Sequence, residues 1–235
     1  SPQSADGHLA VDGSVWTVGY DLGLQLQATD ALRLGLNYRS GVTHDFSGHA
    51  VFQVPAKALP VTLGGMLFRD GGVGVGMKLT GVAAAGVAWR VDDRLTALAD
   101  IDWTRWSGLR QLDLVFANPA QPPIVQQLAR RDAFRFAVGA TYDLAAGTQI
   151  RAGVAYDQSP IGDRYRSADL PDADAIMLSA GVKQRLGDGM WLVAEYTYNR
   201  PFDTSLDITE PNAGTVAGGI TQTVHVIALE AQLAY

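Results

Sequence analysis

The sequence predicts an all-β fold: an antiparallel transmembrane β-barrel of the outer-membrane type, with about nine meander strands visible. Three observations predict it. Apolar and polar residues alternate with a period of two in about nine stretches. Tight turns and long loops alternate between these stretches, and aromatic residues lie near the ends of the apolar faces. We expect residues 1–235 to form a single domain of this kind.

The first two stretches show the pattern most clearly. The stretch 14–27 alternates from Trp16 onward, where apolar residues occupy the even positions and polar residues or glycines occupy the odd ones. Residues 31–46 repeat this alternation after a tight turn at Thr29–Asp30. A helix cannot produce a period of two. Further strands are predicted at 77–91, 94–106 (an extension to 116 is left open), 132–144, 148–157, 175–186, 190–200 and 220–235.

The connections between strands differ in length in a regular way. Tight turns are predicted at 29–30, 92–93, 145–147 and 187–189, and long loops at 47–76, 117–131, 158–174 and 201–219. Bacterial barrels have short periplasmic turns and long external loops, so we expect the long loops outside the cell. Nine strands put the two chain ends on opposite sides, whereas single-chain bacterial barrels have even strand numbers. An odd number of strands is therefore expected to be missing on the N-terminal side.

The N-terminus begins Ser1-Pro2-Gln3-Ser4 and has no basic and apolar leader. We interpret the chain as processed, truncated or a fragment.

The composition limits the class of protein. The chain is 47% hydrophobic and 18% charged, which is too apolar for a disordered protein. No run approaches the ~18 apolar residues that a spanning helix needs. A net charge of −6 argues against a nucleic-acid partner, because such proteins carry basic patches. The absence of cysteine excludes a disulfide scaffold and a thiolate metal site.

Aromatic residues on the apolar parity predict two girdles, as expected for rings at both membrane interfaces. The inner girdle would contain Trp89, Tyr142 and Tyr235, and the outer one Trp16, Trp103, Phe134, Tyr156, Tyr196 and Tyr198. The alternative is a soluble β-sandwich with these aromatics in its core. Nine tall consecutive strands favour the barrel.

The opposite parity, predicted to face the lumen, carries charges of both signs. They include Arg39, Asp102, Arg135, Arg151 and Glu195. Such charges are tolerated when they are paired or hydrated, so neighbouring strands should pair them, for example Asp102 with Arg135. We favour a structural ladder over substrate contacts.

Glycines share this parity. They are Gly19, Gly23, Gly35, Gly139, Gly153 and Gly181. Glycine weakens a strand unless another backbone approaches or the sheet bends, and both explanations stay open.

The predicted loops 51–76 and 117–131, with their flanking residues, are unusually apolar. Phe52, Phe68, Phe116 and Val125 are the members we single out as candidate ligand-binding residues. Exposed apolar residues in external loops are costly in water, so they either pack on one another or form a landing site for a hydrophobic molecule.

Most of the chain resembles the FadL/TodX family of outer-membrane transporters for long-chain fatty acids and other hydrophobic compounds. The resemblance is carried by Leu34–Val42, Trp103–Ser107, Ala155–Pro160 and Pro171–Asp174 leading into Leu178–Gly181. It implies a 14-stranded barrel, an N-terminal hatch that plugs the lumen, and an opening in the wall through which the substrate leaves. The hatch and the first strands are not among these residues.

A fixed cation in an apolar pocket is an economical anchor for a carboxylate ligand. The family resemblance implies a basic residue that contacts the ligand near the outer rim, where Arg130 and Arg131 precede the strand predicted at 132–144. An ungapped alignment would put Gln126 closer to that position. We hypothesise that both arginines bind the ligand.

The predicted function is passive uptake of hydrophobic small molecules across the bacterial outer membrane, with long-chain fatty acids favoured over aromatic hydrocarbons. The alternative is a barrel without a transport role, such as an adhesin or a structural wall protein. We predict no enzymatic activity, because His8, His44, His49 and His225 have no metal-ligand spacing and no nucleophile motif is present. We expect no cofactor or metal. The expected partners are the hydrophobic ligand and outer-membrane lipid, with no nucleic acid, and we expect a monomer.

Overall fold

The computed structural model describes residues 7–145, 147–167, 170–210 and 214–233. The described chain is built of antiparallel strands. They are β1 (His8–Ser14), β2 (Asp21–Gln27), β3 (Leu32–Arg39), β4 (Val42–Gln53), β5 (Gly71–Leu79), β6 (Val82–Arg90), β7 (Leu95–Thr104), β8 (Gln111–Phe116), β9 (Ile124–Gln127), β10 (Ala133–Ala145), β11 (Thr148–Asp157), β12 (Ala175–Gly187), β13 (Met190–Pro201), β14 (Thr204–Glu210), β15 (Gly214–Ile220) and β16 (Val224–Leu233).

The chain divides into two compact units. The first contains Ser1–Gly19, Gly41–Thr80 and Ser107–Ala129, and the second contains Tyr20–Ser40, Gly81–Trp106 and Arg130–Tyr235. The expectation of one barrel domain over residues 1–235 stays a prediction.

The second unit contains a nine-stranded antiparallel sheet in the order β16-β13-β12-β11-β10-β7-β6-β3-β2. Each strand of this sheet pairs with the sheet strand that precedes or follows it in the chain, so the nine-stranded meander is confirmed. Most boundaries agree with the predicted ones to within a few residues. The largest differences are in the first two strands, since β2 begins at Asp21 and not at residue 14, and β3 ends at Arg39 and not at residue 46.

The two faces of this sheet differ as the alternation predicts. Leu22, Leu36 and Val138 are 63%, 57% and 57% exposed. Arg39, Arg135 and Arg151 occupy the opposite parity on β3, β10 and β11. A β-sandwich would bury these apolar side chains in its core, so the distribution agrees with the barrel-type prediction. Tyr235, predicted for the inner girdle, and Ala146 of the turn at 145–147 lie outside the described residues.

The first unit contains a five-stranded sheet in the order β1-β4-β5-β8-β9. The long loops predicted at 47–76 and 117–131 are therefore partly wrong, because they contribute strands to this sheet. The strand predicted at 31–46 breaks at Ser40–Gly41 into β3 and β4, and the one at 77–91 breaks at Thr80–Gly81 into β5 and β6. β4 continues to Gln53 because inward and outward residues keep alternating along it.

One further strand prediction and one further loop prediction differ from the structure. The strand at 94–106 ends at Thr104, and the segment up to 116 contains a separate strand, β8, after a 3-10 turn at Trp106–Gly108. The loop predicted at 201–219 contains the hairpin β14–β15.

The buried core of the first unit is small and apolar. Ala50, Val73 and Phe116 are buried, and Leu9, Phe52 and Leu114 pack against them. Other 3-10 segments are Ala56–Thr62 and Asp163–Tyr165. In the described chain, no helix has the length and apolar character needed to cross a membrane.

Candidate functional site

A cavity of about 310 Å³ lies within the first unit. Strand β1 contributes His8 and Leu9 to its wall, and the end of β4 contributes Phe52 and Gln53. The remaining wall comes from the segment after β4, from Phe68, and from Gln121 and Ile124 before and at the start of β9. Segments far apart in the sequence therefore enclose one space.

Aromatic rings form the apolar part of this wall. The Phe52 and Phe68 ring centroids are 5.8 Å apart with an angle of 60° between the planes, an edge-on geometry that aromatic pairs favour. Phe116 lies behind Phe52, with 5.5 Å between ring centroids, and is buried in the core. Alternation along β4 puts Phe52 on the same side as the buried Ala50, which directs its ring inward.

Two of the polar side chains in the wall bond to the wall itself. Thr62 is 1% exposed, donates to the Leu59 carbonyl over 2.7 Å and accepts from the Gly65 amide over 3.0 Å. Gln121 accepts from the Phe68 amide over 2.9 Å. Among the lining residues that the structure describes, none is Asp, Glu, Lys or Arg. His8 is the one ionisable side chain among the lining residues that the structure describes. The rest of this surface suits an uncharged, apolar group, because a buried unpaired charge is expensive.

The structure brings together some of the predicted ligand-binding residues. Phe52 and Phe68 line the cavity, and Phe116 supports Phe52 from behind. Val125 lies on β9, is 47% exposed and is not a lining residue. Their roles in ligand binding stay predictions. Thr62 and Gln121 were missed, because an isolated Thr or Gln in a loop carries no pattern in the sequence.

The predicted cations Arg130 and Arg131 belong to the second unit. The Arg131 amide donates to the Pro160 carbonyl over 2.9 Å, its Nε donates to the Ser159 carbonyl over 3.1 Å, and its Nη2 lies 3.7 Å from Asp174. The Arg130 Nε is buried and makes no hydrogen bond within the described residues. Arg131 thus has structural partners, and the ligand hypothesis for both arginines stays a prediction.

Two of the segments that carried the family resemblance are tied to each other. Asp174 accepts hydrogen bonds from the Tyr156 hydroxyl over 2.5 Å and from the Ser159 amide over 2.8 Å. The Ser159 hydroxyl donates to Asp172 over 2.7 Å. The Tyr156–Pro160 and Pro171–Asp174 segments therefore form the two sides of one hydrogen-bonded loop, which accounts for their polar residues.

The charges predicted to face the lumen pair across strands. The expected pair of Asp102 and Arg135 is confirmed at 3.3 Å, and Asp100 lies 3.4 Å from the same guanidinium nitrogen. Arg39 pairs with Asp21 at 2.8 Å, and Arg151 pairs with Glu195 at 2.8 Å. These contacts agree with the ladder interpretation.

The glycines on this face fall into two groups. A Cβ on Gly139 would lie 2.8 Å from the Ala152 carbonyl oxygen, and one on Gly153 would lie 3.1 Å from that of Val138. A Cβ on Gly181 would lie 2.9 Å from the Glu195 side chain. Gly23 and Gly35 differ, because their nearest neighbours would be at 3.8 Å and 4.0 Å. Close approach of the adjacent strands explains only the first group.

A tall antiparallel sheet with one exposed apolar face and one face of paired charges has the organisation of an outer-membrane barrel wall. The chain belongs to the outer membrane protein transport protein family (OMPP1/FadL/TodX), whose model matches residues 1–235. The predicted family and the outer-membrane location are thereby confirmed.

Individual relatives support the same assignment. An outer membrane protein of Neisseria meningitidis serogroup B is 31% identical over 86% of this chain and 46% of its own length. A long-chain fatty acid transport protein of Escherichia coli O6:H1 is 30% identical over 77% of this chain and 41% of its own length. The chain thus spans less than half the length of these two relatives.

Solved structures show the same fold. A Pseudomonas aeruginosa FadL homologue superposes with a TM-score of 0.81 at 23% identity, over 92% of this chain and 52% of that one. The Ralstonia pickettii toluene transporter TbuX superposes with a TM-score of 0.58 at 20% identity, over 97% of this chain and 51% of that one. At these identities the likeness concerns the fold alone.

Proposed function

We propose that the protein containing this chain takes up hydrophobic small molecules passively across the outer membrane, and that the cavity of the first unit captures them. The observation that carries the proposal is the cavity wall of Phe52, Phe68, Leu9 and Ile124, in which no described lining residue is Asp, Glu, Lys or Arg. Ligand cavities are mostly apolar, with a few placed polar groups. Membership of a transport family supports the same proposal of uptake.

Long-chain fatty acids are the first candidate ligands. Several relatives are named long-chain fatty acid transport proteins. The cavity, at about 310 Å³, is roughly twice the size of an apolar cavity that holds one benzene ring. It would therefore take part of an acyl chain and leave the carboxylate outside. Each methylene transferred from water contributes about 0.8 kcal/mol.

Neutral single-ring aromatic compounds are a second candidate, favoured by a specific observation. The described lining supplies no Lys or Arg for a carboxylate and has His8 as its one ionisable side chain, and it supplies an edge-on pair of phenylalanine rings. A ring of this kind fits the volume whole. The fold neighbours include toluene transporters, which makes this class worth testing beside fatty acids.

The test for capture uses the full-length protein in lipid nanodiscs and a fatty acid with a diazirine at its chain end. We expect crosslinks at Phe52 and Phe68, and weaker labelling in Phe52→Ala and Phe68→Ala. Val125→Ala is the matched control, since this exposed apolar side chain does not line the cavity. Labelling that is equal in all three variants would reject the capture site.

The ligand class is tested by competition with a matched pair. Toluene and benzoate have similar rings and differ in charge. Displacement of the photoprobe by toluene, with benzoate inactive, would favour the neutral class, and displacement by palmitate with toluene inactive would favour fatty acids. Absence of uptake in cells that make the full-length protein, together with surface adhesion, would favour the non-transport alternative.

A further inference from the structure

We infer that Gln121 is a positioning residue that holds Phe68 in the cavity wall, so that ligand affinity depends on one hydrogen bond between distant parts of the first unit. The inference rests on the proposed capture function and adds to it the hydrogen bond that keeps Phe68 in place in the cavity wall. The two segments involved are residues 62–68 and 118–121. The hydrogen-bonded residues, Phe68 and Gln121, lie 53 positions apart in the sequence.

The backbone of the turn before and at Phe68 is unusual. Leu63 has φ 50° and Phe68 has φ 55°, and between them Gly64 and Gly65 have φ 68° and 79°. The left-handed region is natural for glycine and unfavourable for bulky residues. Phe68 therefore needs an external contact to stay in this conformation. Without one, its backbone would relax and its ring would leave the position beside Phe52.

Gln121 supplies that contact. Its Oε1 accepts from the Phe68 amide over 2.9 Å, and only 9% of the residue is exposed. Gln121 is itself held in place, since its backbone N–H donates to the backbone carbonyl of Asn118 over 3.0 Å. The Asn118 side chain donates to the Met66 carbonyl over 2.8 Å. The segment 118–121 thus clamps the 62–68 turn at two points, and the clamp at Gln121 fixes the residue whose ring lines the cavity.

Backbone strain held by the surrounding structure is common at binding sites, because it fixes one shape before the ligand arrives. Phe68 fits this description, since its strained backbone and its edge-on contact with Phe52 are found at one position. Gln121 also lines the cavity. A test must therefore separate an effect through Phe68 from direct contact with a ligand.

A double-mutant cycle makes this separation. The full-length protein in nanodiscs is titrated with toluene, a probe without ionisable groups. We expect Gln121→Met, which keeps the length of the side chain and removes the amide acceptor, to raise the Kd about tenfold, as for one lost hydrogen bond. Phe68→Ala should cost a similar factor. The double variant should bind no worse than Phe68→Ala alone, and additive losses would overturn the inference.

A conservative variant supplies a rescue. Gln121→Glu keeps an acceptor oxygen at the same reach whether its carboxyl group is protonated or ionised. An ionised carboxylate would also bring a charge to the cavity wall, so toluene binding is compared below about pH 4, where a free Glu side chain is mostly protonated. We expect binding close to wild type there in Gln121→Glu and weak binding in Gln121→Met. Equal affinities of Gln121→Glu and Gln121→Met at acid pH would contradict the role of the acceptor oxygen.

Hydrogen exchange gives a readout that needs no ligand. The peptide containing Phe68 should exchange faster in Gln121→Met than in wild type, with the melting temperature of the protein unchanged. Unchanged exchange would overturn the inference even in a protein that binds no probe. Failure of wild type to bind toluene or a fatty acid in the cavity, with faster exchange in the variant, would instead reject the proposed function.

Discussion

Two regions of the nine-stranded sheet have glycines on the same face for different physical reasons. On β10, β11 and β12, a Cβ on Gly139, Gly153 or Gly181 would lie 2.8–3.1 Å from a neighbouring strand or side chain, so that neighbour would have to shift. In β2 and β3, a Cβ on Gly23 or Gly35 would make only ordinary van der Waals contacts, the nearest at 3.8 Å and 4.0 Å. The same sequence pattern thus marks a packing constraint in one region and a bare surface in the other.

The difference shows what a strand glycine does in this sheet. Gly181 lies between Arg151 on β11 and Glu195 on β13, and it is the register partner of both. The ion pair crosses over the position where a side chain would stand. Strands are about 4.8 Å apart, so a contact between alternate strands spans nearly 10 Å and needs such a gap. Gly181 therefore leaves room for the ion pair between Arg151 and Glu195 on the strands at either side of it.

The largest expected effect comes from adding a methyl group where there is no space. Gly139→Ala should destabilise the sheet by about 1–3 kcal/mol, because the new Cβ would meet the Ala152 carbonyl at 2.8 Å and the strands must shift. Gly35→Ala is the matched control. It should be neutral or stabilising by about 0.5 kcal/mol, since alanine costs less backbone entropy. Urea unfolding of the full-length protein in detergent measures both.

Equal destabilisation by Gly139→Ala and Gly35→Ala would remove the distinction between the two regions. A loss in Gly35→Ala alone would reverse it, and would point to something packed over the bare surface.

Much of the second unit follows from the sequence, and the reason is physical. Each strand there has one apolar face and one polar face, so the alternation alone predicts on which face of the sheet Leu22, Val138 and Arg135 lie. The pairing of Asp102 with Arg135 also follows, because adjacent strands in a meander place such residues opposite each other. At Gly139 the sequence does not distinguish close approach of another backbone from bending of the sheet, since the two explanations differ in distances between strands.

The first unit was largely missed. Apart from β4, its strands are short or rich in glycine, as in β5 with Gly71, Gly72, Gly74 and Gly76, which resembles a loop by composition. Phe52 and Phe68 were identified because apolar residues in predicted external loops need an explanation. Gln121 could not be found, because its role depends on a contact with Phe68 that no local pattern encodes.

An intermediate effect is expected at Gly181. Gly181→Ala would place a Cβ 2.9 Å from the Glu195 side chain and 3.2 Å from that of Arg151, so the flexible side chains must move apart. We expect a loss of about 1 kcal/mol, since the pair is partly exposed and a surface ion pair contributes little by itself. Comparison with Gly181→Ala in a Glu195→Gln background measures the part due to the pair. An undiminished loss in that background would assign the effect to crowding by atoms that both backgrounds keep, namely the Cγ at position 195 and the Ala194 carbonyl oxygen at 3.0 Å.

The smallest effect is expected for the ion pair in the bare region. Arg39 and Asp21 lie 2.8 Å apart, but their side chains are 70% and 41% exposed, so water screens the attraction. Arg39→Met should therefore lower the free energy of unfolding by less than about 1 kcal/mol, and the loss should shrink further in high salt. Denaturant unfolding at low and high salt measures it. A loss as large as that of Gly139→Ala would mean that this pair is desolvated in the full-length protein, and that the bare surface beside it is covered.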